Sequence, residues 1–568
     1  MDSSKNKSTI FSPALLLSIL LGFVSMALFN CSSKKENQED TAQLDAFIKE
    51  FTKGKSSDED EPVTYDLSAD YFKNELARTK EQLTALRKID TSNLTGDNLI
   101  DWKFAHSILI GRELDQEKMV PWKKDPRMYM AFTRISTVID KPGELKNKLE
   151  EIEERLTIVP QQVGNAEKQL EVYVPRFQEL SVFMAENGKF LFDKELPAFI
   201  EKTGAEAEYL KPLVDTARKA LEHYITFLKE ELPKKPVGEF AVGEATYNAM
   251  LKGQYLLGYN AESLWDYGWE RFNATVKELE ELANKIEPGK DWQQLAREIK
   301  NEYPAADKMI EAHQQWVDKA GEHIKSKNII PIPWPERVNV VPRAEYLRKT
   351  SYYGNFSSAR GKDSEGIFTS EWMINPFEEQ WDEQRKKEYL VEHDWGVIIV
   401  TAPHETYGGH HVQGLYQLHN PRPLRKTNGI SIFSEGWGLY NEQLMHETDF
   451  FPNERIHLRQ LQLRLWRNAR VIYDVGMHTG RLSYEEAINL MVEKVGFLRW
   501  AAQLEVDSAS ERPGYFIGYF MGMSEILKMR AEYKALMGDR FTLSEFHEKL
   551  LKIGNMPPAL MREALMMK

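Results

Sequence analysis

A second cysteine is missing from this chain. Cys31 stands alone among 568 residues, so no disulfide can form within the chain and its stability has to come from a buried core. Positive charge is in short supply too: 74 Lys and Arg face 87 Asp and Glu, a formal net charge of −13, or −14 once residues 1–30 are removed. Such a surface repels nucleic acid, which excludes that class of partner. No convincing internal repeat is present. Long apolar runs are limited to Ala14 to Phe29, which is too short, and too closely followed by polar sequence, for a spanning helix.

That run has a different use. Lys5 and Lys7 precede it and Leu28-Phe29-Asn30-Cys31 closes it, so residues 1–30 read as an export signal. Cys31 falls where a bacterial lipoprotein signal is cut and the new terminal cysteine acylated. The expected location is therefore the bacterial cell envelope, outside the cytoplasm, held to a membrane by lipid and facing the periplasm or the surface. Residues 31–61, rich in Ser, Lys, Glu, Asp and Gln, read as a solvated tether.

Beyond it, helical periodicity dominates. Leu145, Leu149, Ile152 and Leu156 follow helical spacing up to Pro160, and Ala217, Leu221, Tyr224 and Leu228 repeat the pattern up to Pro233. Leu264, Gly268, Phe272, Leu279, Ala283 and Ile286 form another stripe, opened by an Asn260 cap and closed by Pro288-Gly289. Strand-like runs are few: Arg337 to Val341, Ile367 to Ile374, Val397 to Val400 and Ile430 to Phe433. The fold class is mainly α. Pro331-Ile332-Pro333-Trp334-Pro335 reads as a loop between an N-terminal helical half, 62–335, and a second half, 336–568, that carries the chemistry.

The chemistry is concentrated in His404-Glu405-Thr406-Tyr407-Gly408-Gly409-His410-His411, followed by Ser434-Glu435-Gly436-Trp437. Two imidazoles and a carboxylate are a zinc ligand set, and a glutamate beside the first histidine can take a proton from water on the metal. The spacing departs from H-E-x-x-H, because the place of the second histidine is Gly408. On an uninterrupted helix His411 returns to the face of His404 about two turns on, while His410 points off it. Neither position is ideal, and the two glycines permit a turn that draws either histidine back. His404 and Glu435 are thus expected metal ligands, with His410 and His411 as alternatives and helical phase favouring His411. Glu442, two turns beyond Glu435 on the same face, either holds a ligand's second nitrogen or lies exposed at the surface. His446-Glu447 lacks a second histidine at useful spacing and reads as structural; His393 stands near the expected cleft, and the Tyr352-Tyr353-Gly354 and Phe377 neighbourhoods read first as aromatic core, with a channel wall as the alternative.

These motifs resemble those of the bacterial family catalogued as domain of unknown function 885, whose signature runs approximately H-E-x-x-P-G-H-H-L-Q and then E-G-W-A-L-Y-x-E. Here the matching stretches are 404–413 and 435–442, and Pro513-Gly514 through Tyr519 to Gly522 is similar to a third segment, P-G-x-x-x-x-Y-x-x-G. The family's usual proline is Gly408. The resemblance implies a large helical zincin-like peptidase fold, related to thimet oligopeptidase and angiotensin-converting enzyme, with a small β element beside the active-site helix. It also implies action on short peptides, and a phenol donor to the oxyanion at Tyr519, with Tyr515 as its substitute.

The expectation that follows is a membrane-anchored zinc metallopeptidase with Zn2+ as cofactor, Glu405 as general base and Tyr519 as catalytic donor. A metal-dependent hydrolase of another amide or ester, and a noncatalytic peptide-binding lipoprotein on a peptidase scaffold, are the alternatives. Glu405 argues against the last, since mere metal binding has no need of a base there.

Overall fold

The computed structural model describes residues 38–53, 66–140, 143–343 and 354–567, so the signal, Cys31, part of the tether and Tyr352-Tyr353 lie outside the described residues. Helix accounts for 73% and strand for 4%, which makes the protein mainly α as expected. No helix among the described residues is long and apolar enough to cross a membrane.

Part of the expected tether is helical. Helix α1 (Gln38–Phe51) buries Leu44, Ile48 and Phe51 in the main core, so its spacing of apolar residues outweighs its polar composition. Helix α2 (Leu145–Gln169) also departs from expectation, because it runs through Pro160 instead of stopping there. An internal proline costs roughly 3 kcal/mol. Val159 and Val163 are buried beside it, and each contributes about 1.5–3 kcal/mol on leaving water, enough to offset that cost. Helix α3 (Lys211–Thr226) follows its expected stripe.

Helix α4 (Ala261–Ile286) is built as its sequence dictates. Asn260 accepts from the Ser263 amide at 2.8 Å while Ser263 Oγ accepts from the Asn260 amide at 3.1 Å, a reciprocal cap that satisfies two free N–H groups. Helix α5 (Met309–Ser326) then leads through the proline-rich loop into a three-stranded sheet. Its strands are β1 (Glu336–Pro342), β2 (Asn355–Ser357) and β3 (Phe368–Ile374), in the order β1-β3-β2. β1 pairs parallel with β3, Val340 opposite Trp372, and β2 pairs antiparallel with β3. Phe368, Ser370, Trp372 and Ile374 of β3 are buried at alternate positions, the period-two signature that made this strand readable.

Two expected strands are helical. Val397 to Val400 lies in α6 (Trp395–Glu405), and all but the first residue of Ile430 to Phe433 opens α8 (Ser431–Glu447), with α7 (His410–Leu418) between them. The reason is all-round burial: Val397, Ile398, Ile399 and Val400 are all buried, so no face is polar and periodicity cannot distinguish helix from strand. Asp394 starts α6 by accepting from the Val397 amide at 3.0 Å.

Helix α9 (Glu454–His478) is buried almost throughout and packs against α4 and α6. Helices α10 (Arg499–Glu511) and α11 (Ile517–Met537) complete the frame. α8 and α11 cross with backbones nearly touching. A Cβ on Gly522 would lie 1.8 Å from the Ile432 carbonyl oxygen, and one on Gly436 2.4 Å from the Gly522 Cα. One core spans the Pro331–Pro335 loop, since Leu83 and Ile324 share a cluster with Ile398, Trp437 and Met521. A second cluster gathers on α9, and a third fills residues 129–232.

Candidate functional site

Four residues decide how the histidines meet. Helix α6 ends at Glu405, and Thr406 leaves helical geometry at φ −119° and ψ −113°. Gly408 adopts φ +98°, a left-handed value that disfavours any side chain. At Gly409 a Cβ would fall 1.7 Å from the His404 carbonyl oxygen, so only glycine lets the chain pass so close to the end of α6. α7 then starts at His410, whose ring lies 5.0 Å from that of His404, centroid to centroid.

His404, His410 and Glu435 converge, with one potential ligand atom from each within 4.8 Å of the others. His410 Nε2 approaches Glu435 Oε2 at 3.6 Å. His411 does not join them, which corrects the expectation that favoured it. Its ring is fully buried on the other side of α7, where Nε2 pairs with Glu336 Oε2 of β1 at 2.7 Å and Nδ1 with Ser370 Oγ of β3 at 2.8 Å. The expectation failed because it assumed one continuous helix, and the break at Thr406 resets the phase. His411 instead fastens the sheet to α7.

The donor set suits a zinc ion: two imidazole nitrogens and a carboxylate, with room for a further ligand. His404 donates from Nδ1 to Glu442 Oε1 at 2.8 Å, leaving Nε2 for the shared space, as the two-turn spacing of Glu435 and Glu442 anticipated. Glu442 is itself fully buried, with Arg467 Nη2 3.6 Å from the same oxygen. The imidazole rests flat on α8, since a Cβ on Gly438 would lie 2.7 Å from His404 Nε2. The second glycine after Glu435 is thus a seat for the ligand ring.

Burial alone would lower the His410 pKa and raise that of Glu435, but their mutual attraction outweighs it. Helped by Glu405, it brings His410 up to about 9; with His404 and Tyr515 adding to it, Glu435 falls to about 2. The pair is an ion pair, in which a metal cation can take the place of the histidine's proton.

Tyr515 donates to Glu435 Oε1 at 2.8 Å, and burial together with that carboxylate pushes its phenol up to about 12. Tyr519 lies one turn on, edge to face with Tyr515 at 6.1 Å, its ring 4.1 Å from the Arg470 guanidinium carbon. Both phenols line the cavity, and Tyr515 is the one in contact with the converging ligands. Asp474 fixes the turn that carries them, accepting from the amides of Gly514 and Phe516 at 2.8 and 3.1 Å and from the Tyr247 hydroxyl at 2.7 Å.

These groups face a cavity of about 770 Å³ whose wall includes Glu405, His393 and Gly354. Phe377 packs on Trp381 and Tyr389 away from it, and His446 stacks on His457 at 3.4 Å in a structural role, as expected. Sequence reasoning missed His313 from α5 and Arg467, Arg470 and Arg512, which also line the cavity. Arg467 and Arg470, three apart on one helix, offered a faint signal, whereas His313 belongs to no motif.

Comparisons with known proteins agree with this picture of the fold. The model of a family described as bacterial protein of unknown function (DUF885) matches residues 53–565. A candidate lipoprotein of unknown function from Shewanella oneidensis has a similar structure, with TM-score 0.76 and 21% identity, covering 92% of this chain and 99% of its own. A candidate lipoprotein from Colwellia psychrerythraea superposes with TM-score 0.72 at 15% identity, covering 94% of this chain and 99% of its own. At these identities the likeness concerns fold alone. No curated protein matches the chain.

Proposed function

The chain belongs to the DUF885 family, and from that premise we propose that it is a zinc-dependent metallopeptidase of short peptides, with a helical zincin-like fold related to thimet oligopeptidase and angiotensin-converting enzyme. The observation that carries this reading is the convergence of His404, His410 and Glu435 on one cavity wall beside Glu405. Zinc, when bound, polarises the scissile carbonyl and lowers the pKa of water. Glu405 follows His404 in sequence and shares its cavity, so it accepts the water's proton and returns it to the leaving amine. Tyr515 holds Glu435 in place, and Tyr519 donates to the oxygen on which negative charge develops. A cavity of about 770 Å³ suits a few residues of extended peptide and is too small for a folded protein.

The same proposal includes a lipid on Cys31. Its support is the signal-like sequence before it and the description of the Shewanella and Colwellia proteins as candidate lipoproteins. The protein then works in the cell envelope.

The test is metal analysis of protein purified without added metal, together with cleavage of a mixed peptide library. About one zinc per chain and cleavage abolished by Glu405→Gln are expected. Zinc without cleavage of any peptide would move the reading to another amide or ester, and no zinc would end it.

A further inference from the structure

Helix α9 sends Arg467 and Arg470 to the cavity from adjacent turns, and the segment before α11 adds Arg512. Aromatic faces seat all three cations. Arg467 and Arg470 lie over Trp466 at 4.0 and 4.2 Å, and Arg512 over Tyr515 at 4.7 Å. A stacked guanidinium keeps its in-plane N–H edge available for an anion. Arg470 has spent that edge on Glu505, 2.6 Å from its Nε.

Arg467 has not. Its side chain is 94% buried, yet Nη1 reaches only the Leu463 carbonyl at 3.2 Å, Nη2 comes no nearer than 3.6 Å to Glu442, and Nε has no partner among the described residues. A buried cation short of partners is costly unless an anion completes it. Burial accordingly pushes its pKa down, against the pull of Glu442. Arg512, exposed at the cavity rim, donates to Ser508 Oγ and, among the described residues, has no carboxylate within ion-pair distance, the nearby Glu511 pairing with Arg127.

We infer that this wall is a carboxylate-binding subsite: Arg467 and Arg512 receive an anionic carboxylate of the substrate while the scissile bond lies at His404, His410 and Glu435. The inference rests on the peptidase reading and narrows it, since the carboxylate is either a peptide's own C-terminus or an acidic side chain.

The experiment uses the zinc-loaded full chain with Glu405→Gln, so that binding is measured without turnover. Calorimetry compares peptides with a free or amidated C-terminus, and peptides carrying Asp or Asn. Loss of the carboxylate should weaken binding about tenfold or more in one arm, which identifies the source, and added salt should reduce the difference. Arg512→Gln, at the exposed rim, should abolish most of that discrimination, and Arg467→Gln should do so with zinc content and circular dichroism unchanged. If Arg467→Gln fails to fold, Arg512→Gln and the peptide pairs still decide. Equal binding in both arms overturns the subsite and leaves the peptidase reading standing. No binding of any peptide overturns both.

Discussion

Replacing His410 and His411 in turn by alanine separates two adjacent histidines that the fold sends in opposite directions. His410→Ala removes one of three converging ligands from a ring that faces open space, so the fold should hold while zinc affinity falls. Losing an outer partner of a metal ligand already costs 10- to 100-fold in affinity, so losing a ligand itself should cost on the order of 100-fold or more. His411→Ala does the reverse. It leaves the Glu336 carboxylate, whose side chain is 2% exposed, with Lys325 at 2.5 Å but without its imidazole, and it strips Ser370 Oγ of a partner. Breaking a buried pair costs roughly 3–5 kcal/mol, and the remaining lysine brings the expected loss to about 2–4 kcal/mol. Equilibrium dialysis with zinc and denaturant unfolding, done on both variants, read the two effects separately. Stoichiometric zinc in His410→Ala, or loss of zinc from a folded His411→Ala, would refute the assignment.

Glu405→Gln should keep zinc and fold but lower turnover about 100-fold or more, because an amide cannot take the proton; near-normal rates in a cleavage assay would remove the general base. Tyr515→Phe should weaken zinc binding by loosening Glu435, whereas Tyr519→Phe should lower kcat with little change in KM; the reverse pattern in dialysis and kinetics would exchange their roles. Gly522→Ala should prevent correct folding, since its methyl would collide with the Ile432 carbonyl at 1.8 Å, and a wild-type unfolding curve would contradict the close crossing of α8 and α11. Cys31→Ala should lose lipid labelling, and wild-type protein found wholly in the soluble fraction without label would end the anchor proposal.

Where neighbours in sequence decide the structure, the sequence was readable. The Asn260 cap and the stripe of α4 are local patterns, and the alternation of β3 is another. Glu442 was legible because two helical turns on from Glu435 is the same face of α8. Patterns failed where burial is complete: Val397 to Val400 has no polar side to reveal its period, and α2 carries Pro160 because residues far along the chain bury its face. The choice between His410 and His411 turned on a backbone break that an ideal helix cannot contain. Gly436 and Gly522 could not be paired by reading either segment alone, since their contact exists only once two helices cross.

The break between α6 and α7 has a thermodynamic consequence. Two histidines on one helix keep their spacing whether or not a metal is present, but here His404, His410 and Glu435 sit on α6, α7 and α8, three separate segments, the first two joined by a short turn and the last two by residues 419–430. An ion shared by them acts as a cross-link whose strength adds to that of the fold. A ligand at a thousand times its Kd stabilises the state that binds it by about 4 kcal/mol. If a metal is bound there, chelation should do more than empty a site: it would release the clasp between three helices, and the apo protein should open first along the cavity wall that His404, His410 and Glu435 share.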